Sequence, residues 1–164
     1  MKSKNKRKRS VTQTECNVNR CPYCGSPVVL RSATGIYHEN KNDTKLYVCS
    51  KYPECDAYAR VQSGTKGVPL SSMANGELRA LRREAHRQFD KIYTTGLMNK
   101  QDAYAWLAVI LAVPKVHAHI GQLGEYYCNV VIAESRRFIE NNRTRQRSVG
   151  GYVNSSPVQM ASGG

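Results

Sequence analysis

Hydrophobic residues change their spacing once along this chain, and the change separates two kinds of structure. Between residues 20 and 62 the apolar segments are short, and residues 57–61 alternate in the way expected of a half-buried strand. We predict strands over 28–31, 46–48 and 57–61, with turn-rich sequence between the first two. This part of the chain therefore has the layout of a small antiparallel sheet.

From residue 75 onward the apolar residues recur three and four positions apart, which is the spacing of an amphipathic helix. Three helices are predicted, over 75–94, 99–112 and 115–141. Gly96 lies where the C-cap of the first helix belongs, and Pro114 ends the second. The register of the third helix buries Val116 and Tyr127, although the glycines at 121 and 124 can interrupt it.

Four cysteines lie at the two ends of the first predicted hairpin. They form two close pairs, Cys21 with Cys24 and Cys49 with Cys55. Such pairs are typical of a tetrahedral Zn²⁺ site, which gives a short segment a folded core that its apolar residues cannot supply alone. A four-thiolate site has no open position for water or substrate, so we expect a structural metal and no metal catalysis.

Three alternatives stay open at this site. A mononuclear iron centre uses similar ligands, but zinc is the more frequent and redox-inert choice. Cys16 has a permitted spacing to Cys21 and could serve as a spare ligand, although Cys21 lies in the better turn. Six cysteines could also form three disulfides in a secreted chain, but no secretory signal is evident here.

The two patterns together predict an α+β protein, in which a small four-cysteine zinc ribbon precedes a three-helix domain. We expect the ribbon over 20–62, a linker over 63–74 and the helical domain over 75–142. The polar termini, 1–19 and 143–164, contain little to bury and are predicted to be disordered basic segments.

Charge adds a candidate partner. The formal net charge is +13, and residues 1–10 contain basic side chains but no acid. A block of like charges is usually disordered, and its functional interpretation is electrostatic attachment to nucleic acid; the alternative is a solubilising tail. We favour nucleic-acid binding because a zinc module follows directly, and we assign this role to Lys6, Arg7, Lys8 and Arg9.

No segment approaches the roughly 18 apolar residues of a membrane span, and no apolar region follows the basic N-terminus as it does in a secretory signal. We therefore expect a cytoplasmic protein that makes no membrane contact. Free thiolates fit such a reducing compartment.

The cysteine segments resemble those of a known family. Cys21-Pro22-Tyr23-Cys24-Gly25, then Val-Val-Leu-Arg, then the segment from Cys49 to Cys55 are similar to the C-terminal zinc ribbons of type IA DNA topoisomerases. Those ribbons bind single-stranded DNA and are not catalytic. The resemblance implies a strand-binding face near Arg31, Tyr47, Tyr52 and Arg60. This chain is far too short to contain the catalytic domain of those enzymes.

The span from Cys21 to about residue 141 resembles a family of phage and prophage proteins described as a zinc-finger-containing domain of unknown function. The shared features are the ribbon, followed by segments at 77–90, 103–107 and 117–121. This resemblance implies a phage-encoded protein in the cytoplasm of a host bacterial cell, and it implies no mechanism.

Basic side chains crowd one side of the first predicted helix, opposite its apolar residues: Arg79, Arg82, Arg83, His86, Arg87 and Lys91. Such a face is either solvated or neutralised by phosphates, because adjacent like charges destabilise a helix. We assign nucleic-acid contact to Arg79, Arg83 and Arg87, and we give this hypothesis the same weight as the alternative that the face is only solvated.

The remaining candidates are weaker. His86, His117 and His119 could hold a second metal or act in a nuclease, but no carboxylate cluster accompanies them, and packing or capping is favoured. Cys128 is expected to be a buried thiol, and Trp106 is expected to pack in the core.

These observations predict a non-enzymatic zinc-ribbon protein that binds nucleic acid, most plausibly single-stranded DNA. The alternative is an adaptor or inhibitor that binds a host enzyme through the ribbon or the helical domain. A nuclease that uses one of the three histidines is a third hypothesis.

Overall fold

The computed structural model describes residues 19–150, with side chains up to residue 145. The predicted basic arm with its residues 6–9, Cys16, and the tail from residue 151 lie outside this range. The chain divides between Met73 and Ala74 into two compact units, which we call the ribbon unit and the helical unit. The predicted α+β class, with a small sheet preceding three α-helices, is confirmed.

The ribbon unit contains one antiparallel sheet of three strands, β1 (Val28–Ser32), β2 (Lys45–Cys49) and β3 (Tyr58–Arg60), with β2 in the centre. The register pairs Arg31 with Leu46 and Leu46 with Arg60. Because paired residues of antiparallel strands point to the same side, this row lies on one face of the sheet. All three predicted strands are present.

Each face of the sheet covers its own small cluster of buried side chains. On the face of Leu46, Leu46 and Val48 pack with Ala33, and partly buried tyrosines cover them. On the opposite face, Cys21 and Cys49 pack with small or flexible residues, namely Ala57, Ala59 and Met73. Neither cluster is large, so the sheet has little apolar area with which to stabilise itself.

The segment predicted as a linker is ordered at its start and folds back against β3. Val61 forms a bridge with Pro69, and the Leu70 amide donates to the Arg60 carbonyl at 2.7 Å. Gly67 adopts a positive φ of 88° at a close approach, where an added Cβ would lie 2.9 Å from the Tyr47 hydroxyl oxygen. The glycines and the proline that suggested a linker instead allow a tight turn, which brings the chain back against β3.

The first two helices of the helical unit begin at asparagine caps. Helix α1 (Gly76–Thr94) begins after Asn75, whose side chain accepts from the Leu78 amide at 2.9 Å. Helix α2 (Lys100–Ile110) begins after Asn99, whose side chain accepts from the Asp102 amide at 2.8 Å. Gly96 has a φ of 76° and donates its amide to Tyr93, so its predicted role at the end of α1 is confirmed.

The third helix differs from its prediction at both ends. Residues 115–122 form two 3₁₀ turns, and helix α3 runs over Glu125–Gly150. Leu123 is extended and its carbonyl accepts from Arg82, so the helix cannot continue through this point. At the other end, residues 143–149 contain no glycine or proline, and α3 continues through them into the predicted disordered tail.

The break before α3 also changes which side chains are buried. Val116 and Tyr127 were expected on the apolar face of one continuous helix, but both are exposed. Arg82, expected on the solvated side of α1, is buried, and its Nε donates to the Leu123 carbonyl at 2.9 Å. This bond satisfies a carbonyl that no longer belongs to a helix.

Aromatic rings form the centre of the helical unit. Phe89 is fully buried, makes edge contacts with Tyr93 and Tyr104, and lies parallel to Trp106. Trp106 in turn contacts Phe138 of α3. One ring of α1 therefore connects all three helices, and the predicted core role of Trp106 is confirmed.

Within residues 19–150, no helix combines the length and apolar character that crossing a membrane requires.

Replacing Phe89 by alanine should lower the free energy of unfolding by about 3–5 kcal/mol, because the cavity cannot be refilled by rigid neighbouring rings. Val109→Ala is the control, since Val109 is 77 % exposed and should change stability by no more than about 0.5 kcal/mol. Denaturant unfolding monitored by Trp106 fluorescence measures both. Equal effects of the two substitutions would contradict this assignment of the core.

Candidate metal centre

Two separate turns bring the four cysteine sulfurs together. Cys21 and Cys24 lie in the turn before β1, Cys49 is the last residue of β2, and Cys55 lies in the turn that follows. The four Sγ atoms all lie within 4.8 Å of one another. The cluster thus joins both ends of the first hairpin, as the spacing of the cysteines predicted.

The first turn is closed by backbone hydrogen bonds. The Gly25 amide donates to the Cys21 carbonyl at 2.9 Å, and the Cys21 amide donates to the Ser26 carbonyl at 2.8 Å. Gly25 has a φ of 70°, which residues with a Cβ rarely adopt. The sequence Cys-Pro-Tyr-Cys-Gly therefore folds into a knuckle whose two sulfurs point to one side.

The second turn is longer and is held in the same way. The Tyr52 amide donates to the Cys49 carbonyl at 3.0 Å, and the Cys55 amide donates to the Lys51 carbonyl at 3.1 Å. The peptide bond between Tyr52 and Pro53 is cis. Cys49 is also tied to the strand that follows, because its amide donates to the Ala57 carbonyl at 3.0 Å.

The sulfur positions fit a tetrahedral zinc ion. Zn–S bonds of about 2.3 Å place tetrahedral sulfurs about 3.8 Å apart. The Sγ atoms of Cys21 and Cys55 are 3.6 Å apart, and those of Cys24 and Cys49 are 3.4 Å apart. These separations are far longer than the roughly 2 Å of a disulfide bond, and all four cysteines are free. The donor set therefore suits Zn²⁺, with no coordination position left open.

Backbone amides two residues further along the chain point at three of the sulfurs. Ser26 donates to Cys24, Lys51 donates to Cys49, and Ala57 donates to Cys55. Hydrogen bonds of this kind stabilise thiolates and orient them toward a metal.

The thiols of the metal-free site differ in acidity. Hydrogen bonds from the Ser26 hydroxyl and amide lower the pKa of exposed Cys24 to about 6. Burial raises the pKa of Cys49 to about 12. Bound Zn²⁺ would favour the thiolate at both positions, because a cation directly opposes the penalty for burying negative charge.

Of the ribbon residues assigned to nucleic acid, the sheet register brings Arg31 and Arg60 to one face, on either side of Leu46. Tyr52 packs against the cluster on that same face. Tyr47 lies on the opposite face, next to the cysteines, and its hydroxyl donates to the Gly67 carbonyl at 2.7 Å. Tyr47 is therefore separated by the sheet from the other three.

One residue of this face was missed. Tyr58 belongs to the row of Val29 and Val48, and its ring makes an edge contact with Tyr37 at 6.1 Å between centroids. The signal was in the sequence, because Tyr58 and Arg60 are two residues apart in a predicted strand and must share a face.

The assigned arginines of α1 have different surroundings. Arg79 is half-buried, and its Nη1 donates to the Ala74 carbonyl at 2.6 Å. Arg83 and Arg87 are exposed, and Arg87 pairs with Glu84. The basic side of α1 is therefore narrower than the sequence pattern indicated.

The other candidate residues form no second site. His86, His117 and His119 are all exposed. Within the described part of the chain, the four cysteines are the one group of three or more metal-ligating side chains that lie together. Cys128 is buried in the helical unit, as expected, and burial raises the pKa of its thiol.

Comparison with known proteins gives one match. A family model, DUF3268, described as a zinc-finger-containing domain, matches residues 17–138, well over half of the chain. Neither the curated proteins nor the solved structures contain a significant match. The matched span includes all four clustered cysteines and most of the helical unit, and together with the sulfur geometry it identifies a zinc-binding protein.

Replacing Cys49 by serine should abolish zinc binding and unfold the sheet, because the metal supplies stability that the small apolar clusters do not. Cys128→Ser is the matched control: it removes another buried thiol, but outside the cluster, and should retain one zinc ion per chain. Elemental analysis measures the metal, and amide hydrogen exchange in β1 and β2 measures the fold. Slow exchange in both strands of metal-free Cys49→Ser would show that the sheet does not depend on the ion.

Zinc affinity should fall as the pH is lowered. At pH 7 the Cys49 thiol must lose its proton to bind the metal, since its pKa is about 12. Cys24, with a pKa of about 6, adds a further proton to be released below that pH, so the dependence should steepen there. Competition with a chromophoric chelator between about pH 8 and pH 5 measures the affinity; a constant value would contradict the requirement for thiolates.

Proposed function

This chain belongs to the DUF3268 family of zinc-finger-containing domains, and we propose that it is a non-enzymatic protein whose zinc ribbon binds single-stranded DNA. The observation that supports this most is the register of the sheet. It gives one face two exposed arginines in a single row, Arg31 and Arg60, and tyrosines beside them. Cations for phosphates and rings for bases are the two components of single-strand recognition.

The two arginines are far enough apart to contact a single-stranded nucleic acid from both sides. Arg31 and Arg60 lie on the two outer strands of the sheet, so their Cα atoms are separated by two strand spacings, or about 10 Å. Leu46 between them is fully buried within the cluster that the tyrosines cover, so the two arginines lie on either side of a packed aromatic surface. A nucleic-acid backbone that crosses the sheet here could contact one guanidinium on each side.

The tyrosines supply surfaces for stacking. Tyr37, Tyr52 and Tyr58 are all half-buried and pack over Leu46, Val48 and Ala33. Packing of one side of a ring limits its motion, and the exposed part remains available to a base. Stacking on such rings contributes about 1–3 kcal/mol per base and depends little on sequence.

The zinc ion would act through rigidity. Cys49 is paired with Val28 on the face opposite Arg31, so the metal and the proposed binding face lie on different sides of one sheet. A closed four-thiolate site offers no position for a substrate, which supports a binding role over a catalytic one. The ion would hold the strands in the register that brings both arginines together.

Charge outside the sheet would add affinity without specificity. The basic residues at 6–9 are suited to non-specific contacts with phosphates, whose contribution depends strongly on salt. We retain the phage-encoded, cytoplasmic setting implied by the family resemblance as part of this proposal.

A second candidate is an adaptor that binds another protein through the helical unit. It is favoured by large apolar side chains left in solvent there, among them Val116 and Tyr126, which are 67 % and 72 % exposed. A pull-down after nuclease treatment separates the two candidates: a retained protein partner favours the adaptor, and loss of all partners favours nucleic-acid binding.

The double substitution Arg31→Gln and Arg60→Gln should weaken binding to a single-stranded oligonucleotide and reduce the salt slope by about 1.4, or ~0.7 for each lost contact. Lys45→Gln is the control for a single charge, because Lys45 is an exposed cation of the same sheet on the opposite face. Fluorescence anisotropy across salt concentrations measures the slope. If Lys45→Gln and Arg60→Gln alone reduced the salt slope equally, binding would not be specific to the face that carries the two arginines, and the proposal would be contradicted.

A further inference from the structure

The helical unit carries a second cationic surface, built from two helices. Arg83, Arg87 and Lys91 are exposed and lie one turn apart along α1, about 6 Å between successive positions. Arg136 of α3 is also exposed and joins this row at the level of Arg87, because both bind the same carboxylate. We call these four residues the α1–α3 basic surface.

Glu84 organises this surface. Its side chain is only 22 % exposed and accepts from Arg87 on its own helix and from Arg136 at 3.0 Å on the other. Gln88 also donates to Glu84, at 2.7 Å, and accepts from Lys91 at 3.1 Å. Glu84 therefore binds two of the cations directly and a third through Gln88, which restricts their motion while leaving an excess of positive charge.

We infer that the α1–α3 basic surface binds the phosphate backbone of duplex DNA. This inference rests on the nucleic-acid binding proposed above and assigns it a second ligand. Guanidinium groups carry more donors than one carboxylate can accept, so Arg87 and Arg136 can bind Glu84 and a phosphate together. The Arg87 and Arg136 side chains are 70 % and 60 % exposed, so a phosphate can reach them while Glu84 stays bound.

Charge and shape distinguish this surface from the face of the ribbon. The α1–α3 basic surface consists of three guanidiniums and one ammonium, and it lacks the packed tyrosines that cover the face of the ribbon. A row of cations on packed, rigid helices matches a regular line of phosphates.

Neighbouring arginines of α3 provide the test. Arg136 and Arg137 are 60 % and 72 % exposed in their side chains, and each contacts one glutamate. Arg136 reaches Glu84 of α1, whereas Arg137 binds Glu134 within α3, at 3.4 Å. Arg136→Gln and Arg137→Gln remove the same charge from adjacent positions, but only the first belongs to the proposed surface.

Binding of the full zinc-loaded chain to a blunt 20-base-pair DNA duplex should be measured by anisotropy across salt. We expect Arg136→Gln to reduce the salt slope by about 0.9, which corresponds to roughly eightfold weaker binding near 0.1 M salt, and Arg137→Gln to match the wild type. Arg83→Gln should act like Arg136→Gln. Equal reductions of the salt slope by Arg136→Gln and Arg137→Gln would show that only the net charge of the chain matters, and this would overturn the inference.

A single-stranded oligonucleotide of equal length separates this inference from the proposed function. Single-strand binding without duplex binding would overturn the inference alone. Duplex binding that is weakened by Arg136→Gln but not by Arg137→Gln, without any single-strand binding, would support the inference and contradict the role of the ribbon. Thermal unfolding of each variant is the folding control, and Arg83→Gln, which breaks no ion pair to Glu84, keeps the test valid if Arg136→Gln is unstable.

Discussion

The ribbon unit depends on one cross-link, the convergence of four cysteine sulfurs from two turns of the backbone. Its strands are three to five residues long, and the side chains buried on the two faces are mostly small. A sheet of this size gains too little from apolar burial to offset the entropy of ordering its chain. A zinc ion bound by Cys21, Cys24, Cys49 and Cys55 supplies the missing free energy. It also fixes the register, since a slip of one residue would turn Cys49 away from the site.

The helical unit is stabilised in a different way. Asparagine caps begin its first two helices. In the core, the ring of Phe89 contacts the rings of Tyr93, Tyr104 and Trp106. Arg82 is buried because the break before α3 leaves the Leu123 carbonyl without a helical partner. A charged residue in this position is tolerated since it satisfies that acceptor, and it positions the start of α3 against α1.

Local chemistry was readable from the sequence, and long-range pairing was not. The cysteine pairs and the glycine after α1 each depend on a few neighbouring residues, so their spacing sufficed. The burial of Arg82 depends on a carbonyl forty-one positions away, which no periodic pattern reveals. The resemblance to topoisomerase ribbons grouped Tyr47 with Arg31, and only the register between strands separates them. Tyr58 and Arg60, in contrast, could have been paired from strand alternation alone.

The single-layer sheet has a consequence for how such proteins diverge. Consecutive residues of each strand point to opposite faces of the sheet, so Leu46 and Val48 lie on one face while Tyr47 and Cys49 lie on the other. Exposed positions of the face opposite the cysteines, such as Arg31 and Arg60, can therefore change without disturbing the ion. Relatives that keep all four cysteines are free to evolve different recognition properties, and conservation of the metal alone would not report a shared ligand.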